Sequence, residues 1–403
     1  MAGSSFVIIN IVMSYVGAGV LGLPYGFKHA GLLLGPIILA LVCVCVVYSM
    51  HILVDCKNRA RSMILSEADT PITHSDIAHL AFGYVGEIIM QLAILLSQLG
   101  FSSAYLLFIC DNLISVIPSM TKLEWIAILL PLLYLLTFVK NLERFVVFSF
   151  LSQLANLAAF LVIIGFDIAS ISKTNDNTNT VTIRNEIEPM SLSGVFMFYS
   201  ICIYSFEGSG LILSLENTGD IDTQAKFKRN FSKSVAAITT FYAFFGALGF
   251  LAFGEATQQI ITLNLPHTSG FDFALMVKLC LCFSLFFSYP LMLHPLSCIF
   301  DDKMAYCMPP LIAKFVLRLL LVSTTGLVII LLPNFADLLE ILGSICCTIL
   351  AFIIPALAHL KLFRGEMSKK EVVGDLVLVL VGGLTVVAGC LDTYRKLTLT
   401  SLA

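Results

Sequence analysis

Charge is what this 403-residue chain has least of: Asp, Glu, Lys and Arg make up 12% of it, against about a quarter in ordinary soluble proteins. So few charges cannot clothe a water-facing globule of this size. Tryptophan is nearly absent too, with one residue. No H-E-x-x-H and no G-x-S-x-G occurs, which removes the usual zinc-hydrolase and serine-hydrolase constellations. No cofactor is called for, and an enzyme is not expected. The net charge of −3, with basic residues scattered between apolar runs, excludes a nucleic-acid partner. No basic residue precedes the first apolar run, which is too long for a cleavable leader.

Hydrophobic residues reach 58%, and they come in long runs. The class is an all-α integral membrane protein whose first partner is the lipid bilayer. Twelve cysteines fall almost entirely inside those runs, as at Cys43, Cys45, Cys280, Cys282, Cys346 and Cys347, where thiols behave as small hydrophobes. No disulfide is expected.

A helix needs about 20 apolar residues to cross the hydrocarbon, which gives eleven spans: 5–27, 31–54, 87–116, 125–139, 145–169, 190–215, 233–254, 271–300, 311–332, 335–360 and 372–391. Lys and Arg in short loops set orientation. With the N-terminus cytosolic, sixteen of the 23 lie on the inner side, and the C-terminus is then extracellular or luminal. Lys278 is expected to snorkel to the outer interface. The polar stretch KTNDNTNTVTIRNE, residues 173–186, reads as a linker between two halves. One polytopic unit results: a first repeat over 1–170, a second over 190–360, and a final helix over 372–391.

Two helices carry the marks of interruption. The first span contains GAGVLGLP, residues 17–24, and the sixth contains FEGSG, residues 206–210. Glu207 is marooned in an apolar segment, where a charge costs about 2.5–3.5 kcal/mol even on the lenient insertion scale. Transporters built as inverted repeats break a helix at corresponding places in both halves, and the breaks meet near the midplane. Free N–H groups at a half-helix start attract an anion and carbonyls at a half-helix end attract a cation. That suits a zwitterion. On this reading Gly17, Ala18, Gly19, Val20, Leu21 and Gly22, with Phe206, Glu207, Gly208, Ser209 and Gly210, bind substrate: the N–H groups of Gly19 to Gly22 take a carboxylate and Glu207 takes an ammonium or a proton. Close helix packing is the alternative for the glycines. Pro24 marks where the first helix restarts.

The stretches GAGVLGLPYGFKHAG, YSMHILV, LSQLGFSSAYLLFICDNL, YSFEGSGLILSLENTGD and FFSYPLMLHP resemble the amino acid/auxin permease family, especially its proton-coupled and vacuolar neutral amino acid transporters. The resemblance runs from Phe6 to about Leu391. It implies eleven helices in two inverted five-helix repeats with helices 1 and 6 broken, and secondary active transport of small neutral amino acids, commonly by proton symport. It also points to His51 for proton coupling. From the residues alone, His51 reads rather as an interfacial histidine bonded to Asp55 one turn away. Tyr105, among Gln98, Ser102 and Ser103, is a further substrate-binding candidate, or else a packed aromatic.

Sodium is the rival coupling ion. Ser284 and Ser288 share a helix face and with the carbonyl of Val16 would form its site, unless the serines bond back to their own helix. No other metal site is expected; His74, Asp76 and His79 read as an amphipathic turn rather than a ligand set. An amino acid sensor that binds without transporting would carry the same binding residues. The sequence does not choose between the plasma membrane and the membrane of a vacuole or lysosome.

Overall fold

The computed structural model describes residues 4–63, 72–138, 142–175, 194–218, 221–266, 272–305 and 309–400. The linker at 173–186 and the start of the sixth span fall largely outside them. Every regular element among the described residues is helical, as a bilayer demands: lipid offers backbone groups no partner, so each segment satisfies its own. Among the described residues, eight helices are long and apolar enough to cross a membrane. Their outer faces explain the composition. On one helix Leu33, Ile37, Leu41 and Val44 are exposed at helical spacing, and on another Leu376, Leu380, Leu384 and Val387 are; in hydrocarbon these faces cost nothing.

The chain begins with α1 (Ser4–Tyr15), a 3₁₀ turn (Ala18–Gly22) and α2 (Leu23–Met63). Helix α2 contains two segments, because Gly31 sits at φ 86°, ψ 165°, a conformation open to glycine and strained for any residue with a Cβ. Its first segment completes the opening span and its second forms the next. Helix α3 (His74–Val116) is divided in the same way at Gly83, φ 67°. Its first turn is secured by a capping box: Thr73 accepts from the Asp76 N–H, and the Asp76 carboxylate accepts from the Thr73 N–H at 2.8 Å. A second such box, Thr121 with Glu124, starts α4 (Lys122–Leu136), and α5 (Leu142–Asn175) follows.

The next span is also in pieces: α6 (Val195–Ser205) stops, and α7 (Ser209–Thr218) begins after the Phe206–Glu207–Gly208 interruption. Then come α8 (Ile221–Phe253), α9 (Phe273–Ala305) and α10 (Pro310–Leu331). Helix α11 (Phe335–Ile341) runs into two π-helical stretches, Leu342–Cys347 and Ile349–Ile353, before α12 (Ile354–Leu362) and α13 (Lys369–Thr400).

Polar bonds bind α1, α2, α6, α7 and α8 into one unit. Lys57 on α2 is fully buried and forms an ion pair with Glu216 on α7, and its ammonium also donates to Asn217 at 2.5 Å. Lys228 on α8 reaches both carboxylate oxygens of Asp55 on α2, each at 2.6 Å. Phe160 of α5 packs edge-on against Phe241 and Phe245 of α8, joining the unit to the helices around it.

Lys278 departs from the expected snorkelling. It is buried and donates to the Ser115 hydroxyl at 3.0 Å, because α9 packs against α3 along its length and leaves the ammonium a protein partner rather than the interface.

The buried Lys57–Glu216 pair yields a sharp expectation. Removing one member leaves the other charge buried, costing about 3–5 kcal/mol, whereas replacing both with apolar residues of similar volume is close to neutral. Thermal unfolding of the detergent-solubilised protein should therefore drop for Lys57→Met and recover when Glu216→Leu is added.

Candidate functional site

The two interruptions meet. Gly19, in the 3₁₀ turn, lies so close to α6 that an added Cβ would stand 2.9 Å from the Ser205 hydroxyl and 2.9 Å from the Tyr204 ring. Gly208 lies under Tyr15, whose ring would be 2.7 Å from its Cβ. Real Cβ atoms do not tolerate such distances, so the glycines are what let the two breaks touch.

Each half-helix end leaves carbonyls without a helical partner. The Tyr242 hydroxyl of α8 stands between them, 2.6 Å from the carbonyl oxygen of Tyr15, the last residue of α1, and 3.0 Å from that of Ser205, the last residue of α6. Its single proton serves one at a time. Tyr242 is fully buried, and nothing in its local sequence announces the role.

Around the junction lies a cavity of about 240 Å³. From the broken helices it is lined by Ser14, Tyr15, Gly17, Ala18, Gly19, Tyr204, Ser205, Glu207, Gly208 and Gly210; from α3 by His74, Ile94, Gln98, Phe101 and Tyr105; and from α9 and the π-helical stretch by Leu291, Met292, Pro295 and Leu350. The Tyr15 hydroxyl and Gln98 Oε1 are buried polar atoms with no hydrogen-bond partner among the described residues. A buried acceptor or donor left this way costs about 1–3 kcal/mol, a debt a polar ligand relieves.

One side of the junction is sealed. Gly22 faces Leu339 and Phe335 of α11, the Gln259 side chain accepts from the Phe335 N–H at 2.9 Å, and Thr262 donates to Asn112 of α3 at 2.6 Å. The cavity extends the other way, along α3 toward His74.

Of the residues expected from sequence, Gly17, Ala18, Gly19, Tyr105, Glu207, Gly208 and Gly210 line this cavity. Val20, Leu21 and Gly22 are buried and absent from the lining, while Phe206 packs against Tyr15 and Tyr242; the Ser209 side chain is outside the described set. The expected carboxylate donors shift accordingly. Because the restart is a 3₁₀ turn, the Val20 N–H is consumed by the Gly17 carbonyl at 3.3 Å, so the donors free by position are those of Gly17 to Gly19 rather than Gly19 to Gly22.

His51 does not line the cavity and does not bond to Asp55. Its Nε2 is 3.1 Å from the Lys228 carbonyl and 3.0 Å from the Ser232 hydroxyl, since Lys228 has already claimed Asp55. Of the residues named for sodium, Val16, Ser284 and Ser288 are absent from the lining; Ser288 donates to the Ser284 carbonyl at 2.9 Å, and Ser284 donates to the Ser152 carbonyl of α5 at 3.4 Å. Asp76 serves the α3 cap and His79 sits 2.8 Å from Glu87, which parts them from His74.

Sequence reasoning missed Tyr15, Gln98, His74 and Tyr242. It also passed over Asp167 on α5, fully buried, with neither carboxylate oxygen hydrogen-bonded among the described residues. The signal there was the same as for Glu207, an acid inside an apolar span.

Two interrupted helices meeting beside a small cavity is the arrangement that broken-helix membrane transporters use for a binding site. Residues 4–395 match the family described as transmembrane amino acid transporter protein, and the chain belongs to that family, one of transporters rather than enzymes. Among its relatives, amino acid transporter AVT3B of Arabidopsis thaliana is 33% identical over 96% of this chain and 92% of its own. Amino acid transporter ANT1 of the same plant is 29% identical over 95% and 90%. The fold is similar to an inward-facing conformation of Mhp1, with TM-score 0.62 at 12% identity over 98% of this chain and 92% of the other. A manganese transporter of Eremococcus coleocola gives 0.51 at 10% identity over 98% and 95%.

Two substitutions probe the junction. Gly208→Ala drives a methyl into the Tyr15 ring and should abolish ligand-induced thermal stabilisation while the protein still folds. Tyr242→Phe leaves the end carbonyls of α1 and α6 without their donor, and unfolding measurements should register a loss of about 1–3 kcal/mol.

Proposed function

We propose that this protein is a secondary active transporter that moves small neutral amino acids by proton symport. The observation that carries the reading is the placement of a single acid, Glu207, at the junction of two broken helices and on the wall of a cavity small enough for a compact zwitterion. The N–H groups of Gly17 to Gly19 are suited to the substrate carboxylate, and Glu207, with Tyr15, Gln98 and Tyr105 nearby on the wall, to its ammonium. A volume of about 240 Å³ favours small side chains.

Eleven crossings in two inverted five-helix repeats, 1–170 and 190–360, with a last helix over 372–391, fit this function. To the eight long apolar helices are added a second span from the division at Gly31, the 15-residue α4, and the pair α6–α7 on either side of Glu207. The N-terminus is cytosolic, on the distribution of Lys and Arg, and the sealed side of the junction is then the outer one. The cavity's extension toward His74 corresponds to a state open to the cytosol.

Proton coupling is favoured over sodium because the cavity wall carries an acid, Glu207, while neither Ser284 nor Ser288 is on it. His51, held between α2 and α8, helps bind the moving unit together rather than touching substrate. Transport follows if proton and amino acid together favour one arrangement of that unit over the other; a ligand held equally in both would shift nothing.

Proteoliposomes test this directly. The wild type should accumulate a labelled neutral amino acid when a pH gradient is imposed, and Glu207→Gln should lose that accumulation. Saturable binding without accumulation by the wild type would make the protein a sensor, and normal gradient-driven uptake by Glu207→Gln would remove the acid from coupling.

A further inference from the structure

We propose that His74 is the proton-exit group of this transporter, taking the proton shed by Glu207 and passing it to water at the cytosolic face; the proposal rests on the proton-symport reading above. Two observations place His74 in that position. It lines the same cavity as Glu207 while sitting in the first turn of α3, the helix whose other end carries Asn112 of the sealed side. And the segment that carries it is set by backbone geometry: α3 turns at Gly83 (φ 67°), and an added Cβ at Gly86 would stand 2.5 Å from the Ala78 carbonyl oxygen. The corner is therefore tight, and the Thr73–Asp76 capping box ties down the turn in which His74 lies.

Among the described residues of the lining, Glu207 supplies a carboxyl group and His74 an imidazole, a group able to take up and give back a proton. The polar atoms of Gln98 and Tyr105 also face the cavity, whose volume admits more than one water. The step balances simply. The Glu207 carboxyl O–H breaks to leave a carboxylate, water carries the proton, and an imidazole nitrogen of His74 forms the new N–H bond. The resulting imidazolium then gives its proton to cytosolic water and returns to neutral.

The other titratable groups around α3 have other duties or lie off the cavity. On α3 itself, Asp76 belongs to the cap and His79 to Glu87. Of the elements packed on it, α9 brings His294 and Asp301, the latter 3.8 Å from Arg318 of α10, and α10 also brings Lys314. Helix α12 brings Lys361, over the Phe82 ring, and His359, paired with Asp375. Helix α2 brings Lys57 and Asp55, in the pairs already described, and Arg59, paired with Glu366; α4 brings Lys122 and Glu124, and α11 Asp337 and Glu340, these last two bound to Lys396. None of these lines the cavity.

The test separates net transport, which must release a proton in every cycle, from exchange, which need not. Purified full-length protein in proteoliposomes is given whichever of alanine, glycine, serine or proline the wild type takes up best. For His74→Gln, gradient-driven net uptake should fall about tenfold or more, while exchange of labelled for unlabelled amino acid across the membrane keeps most of its rate. His74→Asn should show the same split, and net uptake in both should respond less to pH on the cytosolic side. Equal loss of uptake and exchange in both variants, or loss of neither, overturns the proposal. A wild type that neither accumulates nor exchanges amino acid would instead overturn the transport reading on which the proposal rests.

Discussion

Everything in this molecule depends on two helices giving up their internal hydrogen bonds at the same depth. A bilayer punishes unpaired peptide groups severely, so an interruption persists only where protein supplies the missing partners or where a polar cavity is kept open. Both occur here. Tyr242 offers one hydroxyl to the end carbonyls of α1 and α6, and the glycines at 19 and 208 bring the two breaks together with no side chain between them. Gly17, Ala18 and Gly19 of the restart lie on the cavity wall.

The surrounding polar bonds take their meaning from that junction. The Lys57–Glu216 and Asp55–Lys228 pairs and the His51–Ser232 contact join α2, α7 and α8 on one side of the breaks, so a displacement at the site carries those helices together. The contacts of Gln259 and Thr262 close the opposite side. The proposed proton exit at His74 lies on the same helix as Asn112 of that closed side, at its other end.

Much of this was legible along the chain. Glu207 stood out because an acid within an apolar run is expensive, and GAGVLG and FEGSG because glycines cluster where a helix must fail. The restart near Pro24 followed from the same local chemistry. Other features were not legible, and for different reasons. Tyr242 is one tyrosine among 12, and only folding brings its hydroxyl to carbonyls more than thirty residues away. His51 lay beside Asp55 in sequence, but Lys228 competes for that carboxylate from another helix. Ser284 and Ser288 shared a face as expected, yet backbone carbonyls took their hydroxyls. Asp167 was legible by the rule that found Glu207 and simply was not used.

By itself, then, the order of residues determined that the chain lives in a bilayer, where its helices run and where two of them break, because hydropathy, glycine and proline act over a single turn or span. Which side chains face the cavity was decided only by tertiary structure. The pitch of a 3₁₀ turn set the Val20 N–H on the Gly17 carbonyl, and His74 reached the cavity wall through a glycine corner nine residues downstream. Such partners are set by which helices pack against one another, and packing joins residues that no local pattern relates.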